Sequence, residues 1–317
     1  MKVLVAGGAG FIGSYLCEHY CGQGAEVICL DNLITGSREN VASLLKRKNF
    51  TFLETDVSQP LPKLPTGIDL IFNLASPASP MDYYRYPLET LRVGSAGTEN
   101  LLELARKEDA FFVLASTSEV YGDPKVHPQK EDYWGNVNPN GPRSVYDESK
   151  RYAEAVTAAY RRKYGLKTAT SRIFNTYGPR LRPADGRVVS NFISQALSGS
   201  PVTVYGDGGQ TRSLCYVSDL VAGLVRLAGK ANAVDNVVVN LGNAREITIL
   251  ELAKMVISLC RSRSEIVFQS LPDDDPTRRC PDISQAKSVL GWEPMVSLEE
   301  GLKKTISWFE GVNNGAV

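Results

Sequence analysis

The chain has 317 residues, 43% of them hydrophobic and 22% charged, with 35 basic side chains balancing 35 acidic ones. This is the balance of a soluble globular chain with room for one large domain or two, and zero net charge excludes a global field drawing it to nucleic acid or anionic lipid. No apolar run approaches the roughly 20 residues of a bilayer crossing, and six scattered cysteines without Cys-x-x-Cys spacing exclude a disulfide framework and fit a reducing cytoplasm.

After Met1-Lys2 the apolar run Val3–Ala6 reads as a strand rather than a signal-peptide core. It leads into "GGAGFIGSYLCEH", and a helical pattern follows over about 12–22. On that helix Cys17 and Cys21 share a face while His19 points elsewhere, a spacing for core packing rather than for a metal. Glu26–Leu30, Phe50–Glu54, Leu70–Leu74, Phe111–Ala115 and Thr168–Ile173 read as further strands, with helical patterns at about 38–47, 88–107 and 146–164 between them. Alternation of strand and helix means βαβ units, hence a parallel sheet covered by helices on both faces. After about residue 174, loops rich in Gly and Pro ("NTYGPRLRPADGR", "YGDGGQTRS", "LPDDDPTRRCPD") separate short elements and predict a smaller second domain. The helical stretch Ser218–Ala228 and the apolar run Asn236–Asn240 read as returns to the large domain.

Gly7, Gly10 and Gly13 stand between the first strand and the first helix. Glycine there lets the chain turn sharply and lets a pyrophosphate rest on unpaired N–H groups at the helix start, where the macrodipole favours anions. Asp31 closes the second strand 18 residues past Gly13, placed to accept hydrogen bonds from an adenosine ribose. The whole context predicts dinucleotide binding, and a carboxylate that repels a 2′-phosphate favours NAD over NADP, although Arg38 nearby could partly offset the repulsion. Asp56, after the third strand, is placed either to accept from an adenine amino group or to stand in solvent. The fold class that follows is α/β: a Rossmann-type doubly wound parallel sheet with a smaller C-terminal α/β substrate-binding domain. The expected boundaries are 1–174 for the dinucleotide-binding domain, with returning segments about 211–240, and 175–210 plus 241–317 for the second.

Residues 116–124 read "STSEVYGDP", so two hydroxyls and a carboxylate, Thr117, Ser118 and Glu119, stand where an apolar strand ends. Strand propensity does not account for them. In an open α/β sheet, however, ligands bind just beyond the carboxyl ends of the strands. Downstream, "YDESKRYAEA" sets Tyr146 and Lys150 four apart, on one face of a helix. A free tyrosine titrates near about pH 10, and an adjacent ammonium is expected to lower that value. The pair can then take a proton from a sugar hydroxyl while a hydride leaves the same carbon.

Taken together, the glycine pattern, "STSEVYG" and "YDESK" resemble the extended short-chain dehydrogenase/reductase superfamily. "NLASPASPMDYY", "NPNGPRSVYDESKR", "RIFNTYGPR", "DGRVVSNFISQAL", "TVYGDGGQTRS" and "DDPTRRCPDISQAKSVLGWEP" resemble the UDP-glucuronic acid decarboxylases (UDP-xylose synthases) within it, and the likeness runs from residue 1 to about 310. The resemblance implies that NAD oxidises UDP-glucuronic acid at C4, that the resulting 4-keto acid loses CO₂, and that reduction at C4 then yields UDP-xylose and regenerates NAD. It makes Tyr146 the C4-hydroxyl base, Lys150 its tuner and the nicotinamide-ribose anchor, and Thr117 a hydrogen-bonding partner of the C4 oxygen. Glu119 and Arg212 are assigned to decarboxylation and reprotonation. Related 4,6-dehydratases carry Asp-Glu where this chain has Ser118-Glu119; Ser118 cannot expel a hydroxyl as an acid, and its neutrality avoids a charge that would repel a substrate carboxylate by about 4 kcal/mol at about 4 Å and an effective dielectric near about 20.

The residues expected around NAD are Gly7, Gly10, Phe11, Ile12, Gly13, Asp31, Asn32, Asp56 and Val57, with Tyr146 and Lys150. For the nucleotide sugar the family's pattern falls on Tyr83, Asn175, Tyr205, the backbone at Val188-Val189, Arg212 and Arg279. Two departures stand out. Where the family usually reads Thr-Asn-x-x-Gly-Thr the chain has Val93-Gly94-Ser95-Ala96-Gly97-Thr98, and its Tyr-Asp-Glu-Gly-Lys is here Tyr146-Asp147-Glu148-Ser149-Lys150. A helix glycine at 94 costs about 1 kcal/mol relative to alanine. The lost asparagine keeps open the alternative of a UDP-sugar or UDP-glucuronate 4-epimerase on the same scaffold. Relatives pair through the helices matching 88–107 and 146–164, so the resemblance also implies a homodimer.

Overall fold

The computed structural model describes residues 1–230, 237–271 and 278–313. In chain order, β1 (Lys2–Ala6), α1 (Phe11–Gly22), β2 (Glu26–Asp31), β3 (Phe50–Glu54) and β4 (Leu70–Asn73) come first. They are followed by α2 (Pro80–Arg85), α3 (Pro87–Arg92), α4 (Thr98–Glu108), β5 (Phe111–Thr117), α5 (Ser144–Tyr164) and β6 (Thr168–Ile173). The second half supplies β7 (Thr176–Tyr177), α6 (Val188–Ser198), β8 (Val202–Tyr205), β9 (Thr211–Ser213), β10 (Cys215–Tyr216), α7 (Val217–Ala228) and β11 (Val237–Leu241). Last come β12 (Glu246–Thr248), α8 (Ile249–Leu259), β13 (Ile266–Gln269), β14 (Arg278–Arg279) and α9 (Leu298–Asn313).

Seven strands form one parallel sheet in the order β11-β6-β5-β4-β1-β2-β3. Its inner strands β1, β2 and β4 are mostly apolar on both faces because both are covered. Along β1, Val3 and Val5 pack with Leu16 and Cys17 of α1, while the alternate Leu4 and Ala6 pack with Leu101 and Leu102 of α4. Each buried valine or leucine among them contributes about 1.5–3 kcal/mol by leaving water. The strand order reverses between β1 and β4, which opens a crevice at their carboxyl ends. A second, smaller set of strands stands beyond it: β12-β9-β14, β13-β8 and β10-β7. The return to the large sheet is made by α7 and β11, whereas β9 belongs to the small sheet. Asn236 of the expected return and residues 272–277 of the last Gly/Pro-rich loop lie outside the described residues.

Three local expectations are corrected. Residues 38–47 form only a 3₁₀ turn at Arg38–Val41 followed by further turns. The reason is tertiary: Ser37 N and Asn40 Nδ2 both donate to the Ala9 carbonyl, tying this segment to the glycine turn, and Val41 and Leu44 are buried without a full helix. The helix expected over 88–107 is broken by a π turn at Val93–Gly97. Gly94 lies there against α5, where a Cβ would come within 2.6 Å of Ser149 Cβ and 2.8 Å of its carbonyl oxygen. The strand expected to stop at Ala115 runs on to Thr117, because Ser116 and Thr117 stay in register with Arg172 and Ile173 of β6 after pairing with β4 has ended at Leu114.

Candidate active site

The crevice and the small sheet enclose one cleft of about 720 Å³. Its cofactor side is made by backbone. Gly7 has a φ of 76° and donates to the Leu30 carbonyl at 2.8 Å; a Cβ on it would stand 2.8 Å from the Leu74 carbonyl, the point where the two sheet halves diverge. A Cβ on Gly13 would run into the Gly7 carbonyl oxygen. Gly10, Phe11 and Ile12 continue this wall into the start of α1. Asp31 accepts from Ala9 N at 2.9 Å and Leu33 N at 2.8 Å, and faces an adjoining pocket lined by Asn32, Asp56 and Val57. Burial pushes the Asp31 carboxyl up, against the pull of those amide bonds. Arg38 points away from Asp31: it pairs with Glu54 at 2.8 Å and lies 4.7 Å over Phe52. The turn that no side chain could enter and the buried carboxylate fit a dinucleotide with a free ribose.

On the opposite wall, β5 ends at Thr117 and a 3₁₀ turn, Ser118–Tyr121, carries Ser118 and Glu119 into the cleft. The first turns of α5 bring Tyr146 and Lys150 to meet them. Tyr146 shares a side-chain hydrogen bond with Thr117 and stacks parallel on Tyr83, with ring centres 5.3 Å apart. Lys150 Nζ donates to the Ala115 carbonyl at 3.0 Å and lies 5.9 Å from the Tyr146 ring. The expectation that the ammonium brings the tyrosine down is corrected here: burial dominates and pushes Tyr146 up to about 12, with Thr117 opposing it. Lys150 is itself brought down to about 8 by burial. Tyr83 is buried, and its hydroxyl has no hydrogen-bond partner among the described residues.

Glu119 is the charged centre of the sugar side. Arg143 Nη2 donates to it at 2.7 Å and Arg279 Nη2 at 2.9 Å, with a second contact from Arg279 Nη1. Burial alone would raise this carboxyl, but the two guanidinium groups overcome it and hold Glu119 down at about 2. In the small sheet Arg279 is the register partner of Arg212, so both arginines stand abreast and both reach the cleft. The strand carrying Arg279 is pinned in turn: Gln129 N donates to the Cys280 carbonyl at 2.9 Å, and Asp282 N to the Gln129 carbonyl at 2.8 Å. Asn175, Val188 and the half-exposed Tyr205 complete the far end; Val189 is buried in the core, so of that pair only Val188 lines the cleft.

All the residues expected from the sequence thus converge, apart from Val189. Sequence reasoning missed Arg143 and Asp147. Arg143 stands three before Tyr146, a spacing that puts both near one helix face and that could have flagged it. Asp147 is buried near Glu119 with its Oδ1 unpartnered among the described residues, and burial together with the Glu119 charge raises it to about 7.

A parallel sheet whose order reverses at a glycine turn, facing a tyrosine–lysine pair at the strand ends, defines a nucleotide-dependent redox enzyme of the extended short-chain dehydrogenase/reductase class. The chain belongs to the NAD dependent epimerase/dehydratase family, which its residues 3–242 match, and within it to the family of UDP-glucuronic acid decarboxylases. It is 53% identical over 308 residues to UDP-glucuronic acid decarboxylase 1 of Danio rerio, spanning 97% of this chain and 72% of that protein. UDP-glucuronic acid decarboxylase 3 of Arabidopsis thaliana is 50% identical over 303 residues, 95% of this chain and 87% of the relative. Among solved structures, UDP-glucose 4-epimerase of Thermotoga maritima with UDP-glucose superposes with a TM-score of 0.88 at 32% identity, covering 99% of this chain and all of that one. UDP-glucuronic acid 4-epimerase of Bacillus cereus, in complex with UDP-glucuronic acid and NAD, gives 0.88 at 28% identity, with 98% and 100% covered. Among the described residues no helix is long and apolar enough to cross a membrane.

Proposed function

We propose that the chain is a UDP-glucuronate decarboxylase, converting UDP-glucuronic acid to UDP-xylose and CO₂ through a 4-keto intermediate, with NAD rather than NADP held at the glycine turn and Asp31. The observation that carries this reading is Tyr146 meeting, in one cleft, a Glu119 held between two arginines. NAD, when bound, accepts a hydride from C4 and later returns it, and its oxidised form brings a positive charge. Tyr146 takes the proton of the C4 hydroxyl, with Thr117 donating to the phenolate and Lys150 holding the cofactor ribose. A carboxylate lost as CO₂ leaves its electrons on a carbon flanked by a ketone; the Arg212 cation favours that enolate. Glu119, kept ionised, disfavours a second carboxylate beside it and so favours departure as a neutral gas. One proton is consumed at C5 per turnover; the ionised Glu119 would serve this step by accepting a hydrogen bond from the water that delivers the proton and so orienting it, not by giving up a proton of its own. Ser118 keeps the reacting carboxylate free of a further like charge. Asn175 and Arg279 serve the diphosphate; Tyr205 and the backbone at Val188 serve the uracil, while Tyr83 supplies a buried, unpartnered hydroxyl to the sugar.

Incubation with UDP-glucuronic acid while following CO₂ and UDP-pentose tests the reading. Stoichiometric CO₂ and UDP-xylose are expected; UDP-galacturonate without CO₂ would replace it with a 4-epimerase. The reading includes a division of labour between 1–174 with its returns, which hold the cofactor, and 175–210 with 241–317, which hold the nucleotide sugar. It also includes a homodimer, supported by exposed Leu88 and Leu91 on α3 and Tyr152 on α5, to be checked by light scattering. Six unbonded cysteines support a cytoplasmic setting, which localisation of the tagged chain would test.

A further inference from the structure

Arg279, which holds Glu119 from the small sheet, stands on a strand of only two residues. So short a ladder fixes little, and the backbone that follows is held instead by two side-chain amides. Gln129 Oε1 accepts from Cys280 N at 2.9 Å, beside the main-chain bonds of Gln129 to the Cys280 carbonyl and to Asp282 N. Asn240 Nδ2 donates to the Gln129 carbonyl at 3.0 Å and to the Asp282 carbonyl at 3.1 Å. Its Oδ1 accepts from the Tyr121 hydroxyl at 2.8 Å, and Tyr121 closes the 3₁₀ turn that carries Glu119. Arg172 Nη1 donates to the same hydroxyl at 3.0 Å, while its Nε and Nη2 hold Glu154, four residues beyond Lys150 on α5.

Gln129 and Asn240 are both fully buried. A buried amide costs stability unless it is bonded. Here the side-chain oxygen and nitrogen of each find partners, Gln129 Nε2 donating to the Val126 carbonyl at 2.8 Å. A satisfied buried network specifies one arrangement, which apolar side chains of the same volume do not. The arrangement specified here joins the three elements that bear Lys150, Glu119 and Arg279. Neither amide lines the cleft, so its effect on the chemistry runs through the residues it holds, and Arg279 is the one whose own strand is too short to place it.

We infer that Gln129 and Asn240 are positioning residues, whose buried amides set Arg279 against Glu119 and the substrate's diphosphate. The inference rests on the decarboxylase reading above and adds to it the residues that place its small-sheet arginine. It is tested on the full-length protein by UDP affinity, read by titration calorimetry, and by UDP-xylose formation, in a double-variant cycle with Arg279→Ala. Gln129→Met, close in length but without an oxygen for Cys280 N, should weaken UDP about fivefold and lower kcat about tenfold. Once Arg279 is alanine, the same change should alter either quantity by about twofold or less. Gln129→Glu, which keeps an oxygen for that amide, should recover most of the loss. Equal factors for Gln129→Met in both backgrounds would make the amide a general support of the fold and overturn the inference. If Gln129→Met does not melt cooperatively, Tyr121→Phe, which removes only the donor to Asn240, decides by the same cycle, with about a threefold loss expected and equal factors again overturning it. An unaltered protein that releases no CO₂ while the UDP cycle holds removes the decarboxylase reading and leaves the placement of Arg279 standing.

Discussion

The cofactor side of the cleft is shaped by backbone contacts among neighbouring segments, whereas the sugar side is held by charged side chains far apart in the chain. Gly7, Gly10, Gly13 and Asp31 act through main-chain approach and amide bonds within about one βαβ unit. Arg143, at the start of α5, meets Glu119 beside the large sheet, and Arg279 joins them only because the small sheet folds back on the large one. The difference teaches that the first side is preformed and tolerant of charge changes elsewhere, while the second depends on balance among its ions. The substitutions below are ordered by expected effect and aim to separate the two.

Tyr146→Phe should have the largest effect. Removing the proton acceptor should lower kcat for CO₂ release by about 10³-fold, within the span general-base catalysis contributes. NAD content after gel filtration should be largely retained, because the glycine turn, Asp31 and Lys150 remain to hold the cofactor. A decarboxylation rate within tenfold of the unaltered enzyme would remove Tyr146 from the chemistry.

Glu119→Gln comes next and acts on the other side. We expect about a 10²-fold fall in CO₂ release with NAD affinity retained, since Arg143 and Arg279 lose the anion between them. The folded pKa of Glu119 is depressed, so its contribution to stability is fully present above the unfolded value near about 4.5 and is lost as pH falls toward about 2. The variant should therefore be less stable than the parent at pH 7, and the gap should shrink below about pH 4. Unaltered UDP-xylose yield together with unchanged denaturant midpoints would dissolve the proposed clamp.

The contrast between the two sides also explains what was legible in the sequence. Glycines flanked by strand and helix, and Tyr146 four residues before Lys150, are local spacings with fixed geometric meaning, and they stand where expected. The Glu119 clamp joins residues 24 and 160 positions apart, and no periodicity encodes such a meeting. Tyr83 on Tyr146 is the same kind of event, a stacking between α2 and α5. The helix expected at 38–47 failed because Asn40 is recruited by the Ala9 carbonyl, a tertiary bond that local pattern does not carry. Likewise the titration of Tyr146 follows from its burial, which spacing to Lys150 alone could not give.

Gly94 sharpens the comparison at the boundary between the sides. Read from sequence it is a helix defect; in the fold it is a clearance, because Ser149 occupies the space a Cβ would need. Ser149 is fixed there by donating to the Tyr146 carbonyl at 2.7 Å. Gly94→Ala should destabilise by about 1–3 kcal/mol through overpacking, seen as a fall of roughly 2–6 °C in Tm. Ser149→Gly in the same chain should restore only the part due to the Ser149 Cβ, since the Ser149 carbonyl oxygen stays 2.8 Å from the added atom. A rise in Tm for Gly94→Ala would show that backbone propensity, which favours alanine over glycine in a helix, governs this crossing rather than the contact.

The smallest expected effect concerns Asp147, whose buried carboxyl is raised toward about 7 by burial and by Glu119. Here the folded state holds a proton more tightly than the unfolded chain. Stability is therefore greatest below the unfolded value near about 3.8 and falls as pH rises toward about 7, beyond which the loss is complete. Asp147→Asn removes this dependence. Its denaturant midpoint, compared with the parent's, should improve progressively from pH 5 to pH 7 by roughly 1–2 kcal/mol and then hold constant. Because Glu119 is a principal cause of the shift, the same substitution in a Glu119→Gln background should show a smaller pH-dependent gain. A gain of equal size in both backgrounds would place the cause in burial alone and detach Asp147 from the charge balance that distinguishes the sugar side.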